Sequence, residues 1–117
     1  MNRNKQLVRI KASIEKVQEA LFELGEMRPG SISKQYNVCG NPKCRCKDPR
    51  SPKKHGPYYQ LSYVHKGRSS SQFIRKEFLA ETRQQLLNYK RFKRLTEQWV
   101  SLAFEQAKLK LETKRGQ

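Results

Sequence analysis

The sequence predicts an α+β fold that is mostly helical, an antiparallel coiled-coil helical hairpin with a small loop and β-hairpin at its tip. Apolar residues repeat at alternating spacings of three and four near both ends of the chain. All five prolines, all three cysteines and both histidines fall between these two stretches. A chain of 117 residues has room for one domain. We expect a helix over 3–26, a loop and β-ribbon over 29–75, and a long helix over 76–114.

The first predicted helix carries an apolar stripe. Its members are Leu7, Ile10, Ile14, Val17, Leu21 and Leu24. Their spacing gives the 3.5-residue period of a helix that packs against another helix. Gly25 and the pair Pro29-Gly30 are expected to end it, since glycine and proline favour helix termini.

The last stretch of the chain predicts one long helix because it contains neither proline nor glycine between 76 and 114. Its stripe consists of Leu86, Tyr89, Phe92, Leu95, Trp99, Leu102 and Leu109. Charge favours an antiparallel partner, because acids cluster late in the first helix and bases cluster early in the long one. The acids are Glu15, Glu19, Glu23 and Glu26, and the bases are Arg83, Lys90, Arg91, Lys93 and Arg94.

Two short segments in the middle of the chain predict a β-hairpin. The tyrosine-rich segment Pro57–Val64 is followed by Ser69–Arg75, and Lys66-Gly67 between them suits a two-residue turn. In the first strand, Tyr59, Leu61 and Tyr63 share one face, and Tyr58, Gln60 and Ser62 share the other. An isolated two-stranded ribbon is marginal in water, so we expect something else to hold it.

A metal site is the expected fastening. Cys39, Cys44, Cys46 and His55 form a C-x4-C-x-C-x8-H pattern, and closed Cys3His sets are typical of structural Zn²⁺. His65 is the alternative fourth ligand. An odd number of cysteines within eight positions favours a metal over a disulfide framework, and hence a reducing compartment. We expect a cytoplasmic protein, since no apolar run approaches a membrane span and the first residues lack a signal-peptide core.

Enzymatic activity is not expected from these residues. A thiol nucleophile needs a base and an oxyanion donor beside it, whereas all three thiols here fit one coordination shell. Asp48 is the only carboxylate between Glu26 and Glu77, so the loop and ribbon offer no ligands for two-metal chemistry.

The charge of the chain points to a polyanionic partner. The formal net charge is +16 with a pI near 10.2, and such a balance in a small chain is typical of nucleic-acid binding. Basic residues would hold phosphates, and exposed tyrosines would pack or stack on unpaired bases. The candidate binding residues are Lys43, Arg45, Lys47, Arg50, Lys53, Lys54, Tyr58, Arg68, Arg75, Arg83, Lys90, Arg91 and Arg94.

The sequence thus predicts a non-enzymatic accessory protein that binds structured RNA or DNA and does not bind a membrane. The alternative is a coiled-coil adaptor or dimeric scaffold, in which residues 103–111 of the long helix dock a protein partner or a second copy. Some bases of the long helix would then only balance the glutamates of the first helix.

The cysteine pattern also carries a family resemblance. Cys-Gly-x-Pro-x-Cys-x-Cys at Cys39–Cys46 and His-Gly-Pro-Tyr at His55–Tyr58 resemble an uncharacterised family of small basic proteins of bacteria and archaea, over about Gly30 to Leu95. This resemblance implies a shared zinc-binding fold, a prokaryotic setting and a place in a ribonucleoprotein or mobile-element complex. It implies no mechanism.

Overall fold

A computed structural model describes residues 2–115, with side chains as far as Glu112. Its elements in chain order are α1 (Arg3–Phe22), β1 (Ser31–Asn37), a 3-10 turn (Arg45–Lys47), β2 (His55–His65), β3 (Arg68–Ile74), a second 3-10 turn (Lys76–Phe78) and α2 (Leu79–Arg115). They group into two compact units. One unit is Arg28–Leu86, and the other combines α1 with α2 from Leu87 onward.

The unit Arg28–Leu86 is built on a three-stranded antiparallel sheet in the order β1-β2-β3. Leu61 in the central strand is fully buried, opposite Ile32 of β1 and Gln72 of β3. Leu79 and Leu86, from the first turns of α2, are also buried and complete this small core. The small core therefore lies on one face of the sheet, the face that carries Leu61, and we call it the inner face.

Two arginines lie against tyrosines of the same inner face. The Arg28 guanidinium lies 5.3 Å from the centre of the Tyr63 ring, and that of Arg83 lies 5.9 Å from the Tyr59 ring. Tyr59, Leu61 and Tyr63 lie on the same side of β2, so the Arg83 contact places the start of α2 on the inner face. Lys66 and Gly67, with φ of 51° and 77°, form the turn between β2 and β3.

The helical unit buries the middle of the α1 stripe. Ile10, Ile14 and Val17 are buried, as is Leu95 of α2. The Asn2 side chain caps α1 by accepting a hydrogen bond from the Lys5 amide at 2.8 Å. No described helix has an apolar stretch long enough to cross a membrane.

The predicted coiled-coil hairpin with a β-hairpin at its tip is wrong. The strands form a three-stranded sheet in the middle of the chain, and the helices do not pair as a coiled coil. Phe92 and Trp99 occupy stripe positions that a coiled-coil seam would bury, yet they are 37% and 36% exposed. The physical reason lies in the ribbon, since two strands alone bury too little and β1 adds the third strand.

The start of α2 gives a second reason for this correction. Leu86, assigned from the sequence to the seam with α1, lies instead in the core of the sheet unit. The helix limits also differ from those predicted, because α1 ends at Phe22 and α2 begins at Leu79 after a 3-10 turn.

Candidate metal centre

Four side chains of the sheet unit converge on one point. The ligand atoms of Cys39, Cys44, Cys46 and His55 all lie within 4.8 Å of one another, and we call this set the Cys3His cluster. The Sγ atoms of Cys39 and Cys46 are 3.6 Å apart. Cys44 Sγ lies 3.1 Å from His55 Nε2. These four residues could hold one metal ion.

The separation of the Cys39 and Cys46 sulfurs fits two corners of a tetrahedral site. With Zn–S bonds of about 2.3 Å, two sulfurs at tetrahedral corners lie about 3.8 Å apart, close to the observed separation of Cys39 and Cys46. Cys46 is only 2% exposed, and Cys39, Cys44 and His55 are half-buried. Four protein ligands leave no open position, which is typical of structural sites and not of catalytic ones.

A short turn brings Cys44 back towards Cys39. The Cys44 amide donates to the Asn41 carbonyl at 3.2 Å, and the Asn41 side chain accepts from the Lys43 amide at 3.0 Å. Asparagine favours such turns because its side chain bonds the backbone two residues on. The 3-10 turn Arg45–Lys47 then places Cys46, whose sulfur accepts from the Cys39 amide at 3.4 Å.

The chain between Cys46 and His55 folds back on itself. The Lys53 amide donates to the Arg45 carbonyl at 2.9 Å, and the Asp48 carboxylate accepts from the Arg50 amide at 2.9 Å. These two bonds give the segment a defined path. His55 consequently reaches the cluster from the first position of β2.

Gly56 allows the strand to start so close to the cluster. Its φ is 133°, and a Cβ at this position would lie 2.8 Å from the Gln35 carbonyl oxygen. Only glycine adopts this conformation without strain. His55 is therefore held by the sheet itself, opposite Asn37 of β1. His65, the alternative ligand, is the last residue of β2 and is not among the converging side chains.

Hydrogen bonds and burial shift the pKa values of the four side chains in the cluster. Hydrogen bonds from the Cys46 backbone and from Cys39 lower the pKa of Cys44 to about 6. The pKa of Cys39 is lowered by the Asn41 backbone and then by His55. Burial raises the pKa of Cys46. Hydrogen bonds with Cys39 and Cys44 raise the pKa of His55. Without a metal, Cys44 is therefore the thiol of the cluster that is ionised at neutral pH.

A family model matches most of the chain. Residues 4–84 match a model described as a domain of unknown function, DUF6788. The chain belongs to the DUF6788 family. The Cys3His cluster and the whole sheet lie inside the matched region. Comparison with the curated proteins and with the solved structures gives no match.

Ten of the thirteen predicted nucleic-acid-binding residues lie in the sheet unit and inside the DUF6788 region. Six of them are exposed bases between Cys39 and His55, and we call the segment Lys43–Lys54 the basic loop. Arg68 and Arg75 stand at opposite ends of β3, and Tyr58 is 42% exposed. Arg83 lies over the Tyr59 ring on the inner face. Lys90, Arg91 and Arg94 belong to the helical unit and lie outside the matched region.

Two features of this unit were missed in the sequence. The sequence does not predict β1, since only Ile32 and Tyr36 in Ser31–Asn37 are residues that favour strands, and a spacing of four between them is a weak signal. The exposed ring of Phe73, 63% accessible, was not assigned to any site. The alternation within β3 puts it on the face opposite Ile74, so the period of two was the signal available.

Proposed function

We propose that this protein binds nucleic acid through the basic loop, and that a Zn²⁺ ion in the Cys3His cluster orders that loop. One observation supports this most strongly. Six exposed bases occur on a short segment that contains the ligands Cys44 and Cys46 and is followed directly by the ligand His55. In this proposal the ion orders the loop, and the six basic residues contact the nucleic acid. They are Lys43, Arg45, Lys47, Arg50, Lys53 and Lys54.

The basic loop has almost no internal neutralisation. Asp48 is its only acid, and its carboxylate accepts a hydrogen bond from the Arg50 amide within the loop. Each phosphate that a Lys or Arg neutralises releases condensed counterions, which is the main driving force for such binding. A chain with a net charge of +16 also attracts polyanions at long range.

Zn²⁺ is the ion that suits this donor set best. Three thiolates and one imidazole are soft or borderline ligands, which bind zinc and not Mg²⁺ or Ca²⁺. The closed coordination shell supports a structural ion, and with it a non-enzymatic role. The placement of the protein in a ribonucleoprotein or mobile-element complex stays a prediction from the family resemblance.

A salt titration tests the proposed function. The affinity for a labelled RNA hairpin and for a DNA duplex is measured by fluorescence anisotropy between about 50 and 200 mM salt. If the basic loop makes about six phosphate contacts, the slope of log K against log salt is about −5, and the affinity falls about a thousandfold. Failure of both probes to bind at the lowest salt contradicts the proposal.

A second candidate function is protein docking by the end of α2. Val100, Phe104 and Leu111 are 69%, 73% and 66% exposed and lie on one side of the helix. An exposed apolar stripe of this kind marks an interaction surface. Self-association that persists at high salt, without retention of nucleic acid, would favour this function over the first.

A further inference from the structure

The sheet presents one face that no described element covers. This outer face consists of Ser31, Ser33, Gln35, Tyr58, Gln60, Ser62, Val64, Ser69, Ser71 and Phe73. All of them except Gln35 and Gln60 are exposed. Because α2 packs on the inner face, the outer face is open to a ligand.

Two aromatic rings form a pair on the outer face. Tyr58 and Phe73 meet edge to face, with ring centres 6.4 Å apart and planes at 67°. Tyr58 is 42% exposed and Phe73 is 63% exposed. Strands normally turn large apolar rings towards the core, and two exposed rings in contact form an apolar patch of the kind that marks an interaction surface.

Apart from Val64, the rest of the outer face is polar, and it carries no acid. The register aligns Ser31, Ser62 and Ser71 in one row across the three strands, and Ser33, Gln60 and Phe73 in the next. Serine and glutamine both donate and accept hydrogen bonds. The serine row borders a shallow pocket with a volume of about 650 Å³. The three strands together contain neither Asp nor Glu.

Exposed bases flank the outer face at both ends. Lys66 and Arg68 lie at the turn between β2 and β3, and Arg75 follows β3 at the other end, where β2 leaves the basic loop. These two ends of the face are about 23 Å apart, because Tyr58 and His65 are seven residues apart along β2 at a rise of about 3.3 Å per residue. This charge suits a phosphate backbone and disfavours a second copy of the chain, which is itself strongly positive.

We propose that the outer face binds the unpaired bases of a single-stranded nucleic acid, with Tyr58 and Phe73 as the stacking residues. The inference rests on the proposed nucleic-acid binding and specifies its substrate. Bases in a duplex are already stacked and paired, so aromatic rings on an open sheet select unpaired ones. The exposed serine side chains of the same face bond base edges or the ribose 2′-hydroxyl.

The test compares single strands with a duplex. Zinc-loaded full-length protein is titrated into labelled single-stranded RNA, single-stranded DNA and a blunt DNA duplex, each about 12 nucleotides long. Tyr58→Leu and Phe73→Leu each lower the single-strand affinity about 5-fold to 150-fold and lower the duplex affinity much less. A larger loss on RNA than on DNA assigns part of the binding to the 2′-hydroxyl.

Tyr36→Leu is the matched control for loss of a ring. Tyr36 is 50% exposed on the same sheet, but it lies on the inner side of β1 with Lys34. We expect this variant to keep the single-strand affinity. Metal content, measured on every variant, confirms that the unit is folded.

Phe73→Trp keeps the proposal testable if the leucine variants fail to fold. A stacked base quenches the new indole, so adding single-stranded RNA lowers its fluorescence relative to wild type, which carries Trp99 alone. Equal losses on single strand and duplex, or an unquenched indole on bound RNA, overturn the inference and leave the basic loop as the binding site. Failure of the wild type to bind any probe instead overturns the proposed function.

Discussion

Cys44 contributes both a thiolate and the closest contact with His55. Replacing it therefore distinguishes a metal site from a cluster of free thiols. We expect Cys44→Ser to lose one equivalent of bound metal per chain and to lower the thermal stability of the sheet unit. The reason is that the binding free energy of a structural ion is part of the folding free energy. Elemental analysis and a melting curve measure the two effects.

The control for this variant is Asp48→Asn, which changes a carboxylate in the same loop. Its amide oxygen still accepts the hydrogen bond that the carboxylate accepts from Arg50. The metal content should stay at one ion per chain. An Asp48→Asn variant without metal, or a Cys44→Ser variant that keeps it, would contradict the assignment of ligands.

Gly56 and Gly40 form a matched pair, because each follows a cluster residue directly. A Cβ at Gly56 would lie 2.8 Å from a carbonyl oxygen at a φ of 133°, whereas a Cβ at Gly40 meets nothing within 4 Å. We expect Gly56→Ala to cost about 1–3 kcal/mol of unfolding free energy and Gly40→Ala to change it by less than about 0.5 kcal/mol. Urea unfolding of the metal-loaded proteins measures both, and equal values would contradict the tight approach of β2 to β1.

Acid should weaken the binding of the ion. The pKa of Cys44 lies at about 6, so this thiol is ionised above that pH and becomes protonated as the pH falls through it. Protons then compete with the metal for a ligand that must be a thiolate. We expect the apparent affinity for zinc, measured against a competing colorimetric indicator, to fall as the pH drops, and to fall more steeply below about pH 6. An affinity that does not change between about pH 7 and pH 5 would contradict ligation by thiolates.

At the scale of the elements, the charge of the basic loop can be removed without removing a metal ligand. Arg45 and Lys47 flank Cys46 on the 3-10 turn, and both side chains are exposed. Replacing both with alanine should leave the metal content unchanged. It should weaken RNA and DNA binding alike and make the salt slope shallower by about 2, since each phosphate contact accounts for about 1. An unchanged slope in anisotropy titrations would remove the loop from the binding surface.

The elements differ in how far the sequence predicts them. The limits of β2 and β3 follow closely from tyrosine-rich alternation and from Lys66-Gly67, because turn chemistry is local. The strand β1 was missed because only its pairing with β2 makes Ser31–Asn37 a strand. Leu86 was assigned to the wrong core for a related reason, since a helical period shows which residues share a face but not what that face contacts.

The candidate site was more predictable than the fold around it. Cys39, Cys44, Cys46 and His55 were grouped from spacing alone, and they do converge. Ligand chemistry restricts the residue types and the loop lengths so strongly that the pattern is visible in the chain. The coiled-coil hairpin failed because the arrangement of helices depends on long-range packing, which a 3.5-residue period does not specify.

At the scale of the whole molecule, the apolar core is small. The buried apolar side chains among the described residues are Ile10, Ile14, Val17, Cys46, Leu61, Leu79, Leu86 and Leu95, and only Cys46, Leu61, Leu79 and Leu86 lie in the sheet unit. Small domains with such cores commonly need a metal to stay folded. The sheet unit is therefore expected to depend on the ion for its stability as well as for the order of its loop.

The metal content of the purified full-length protein tests this account most directly. We predict one zinc ion per chain by elemental analysis, with the three thiols unreactive towards a disulfide reagent until a chelator is added. A protein that is folded, contains no metal and exposes all of its thiols to the reagent at once would contradict the account.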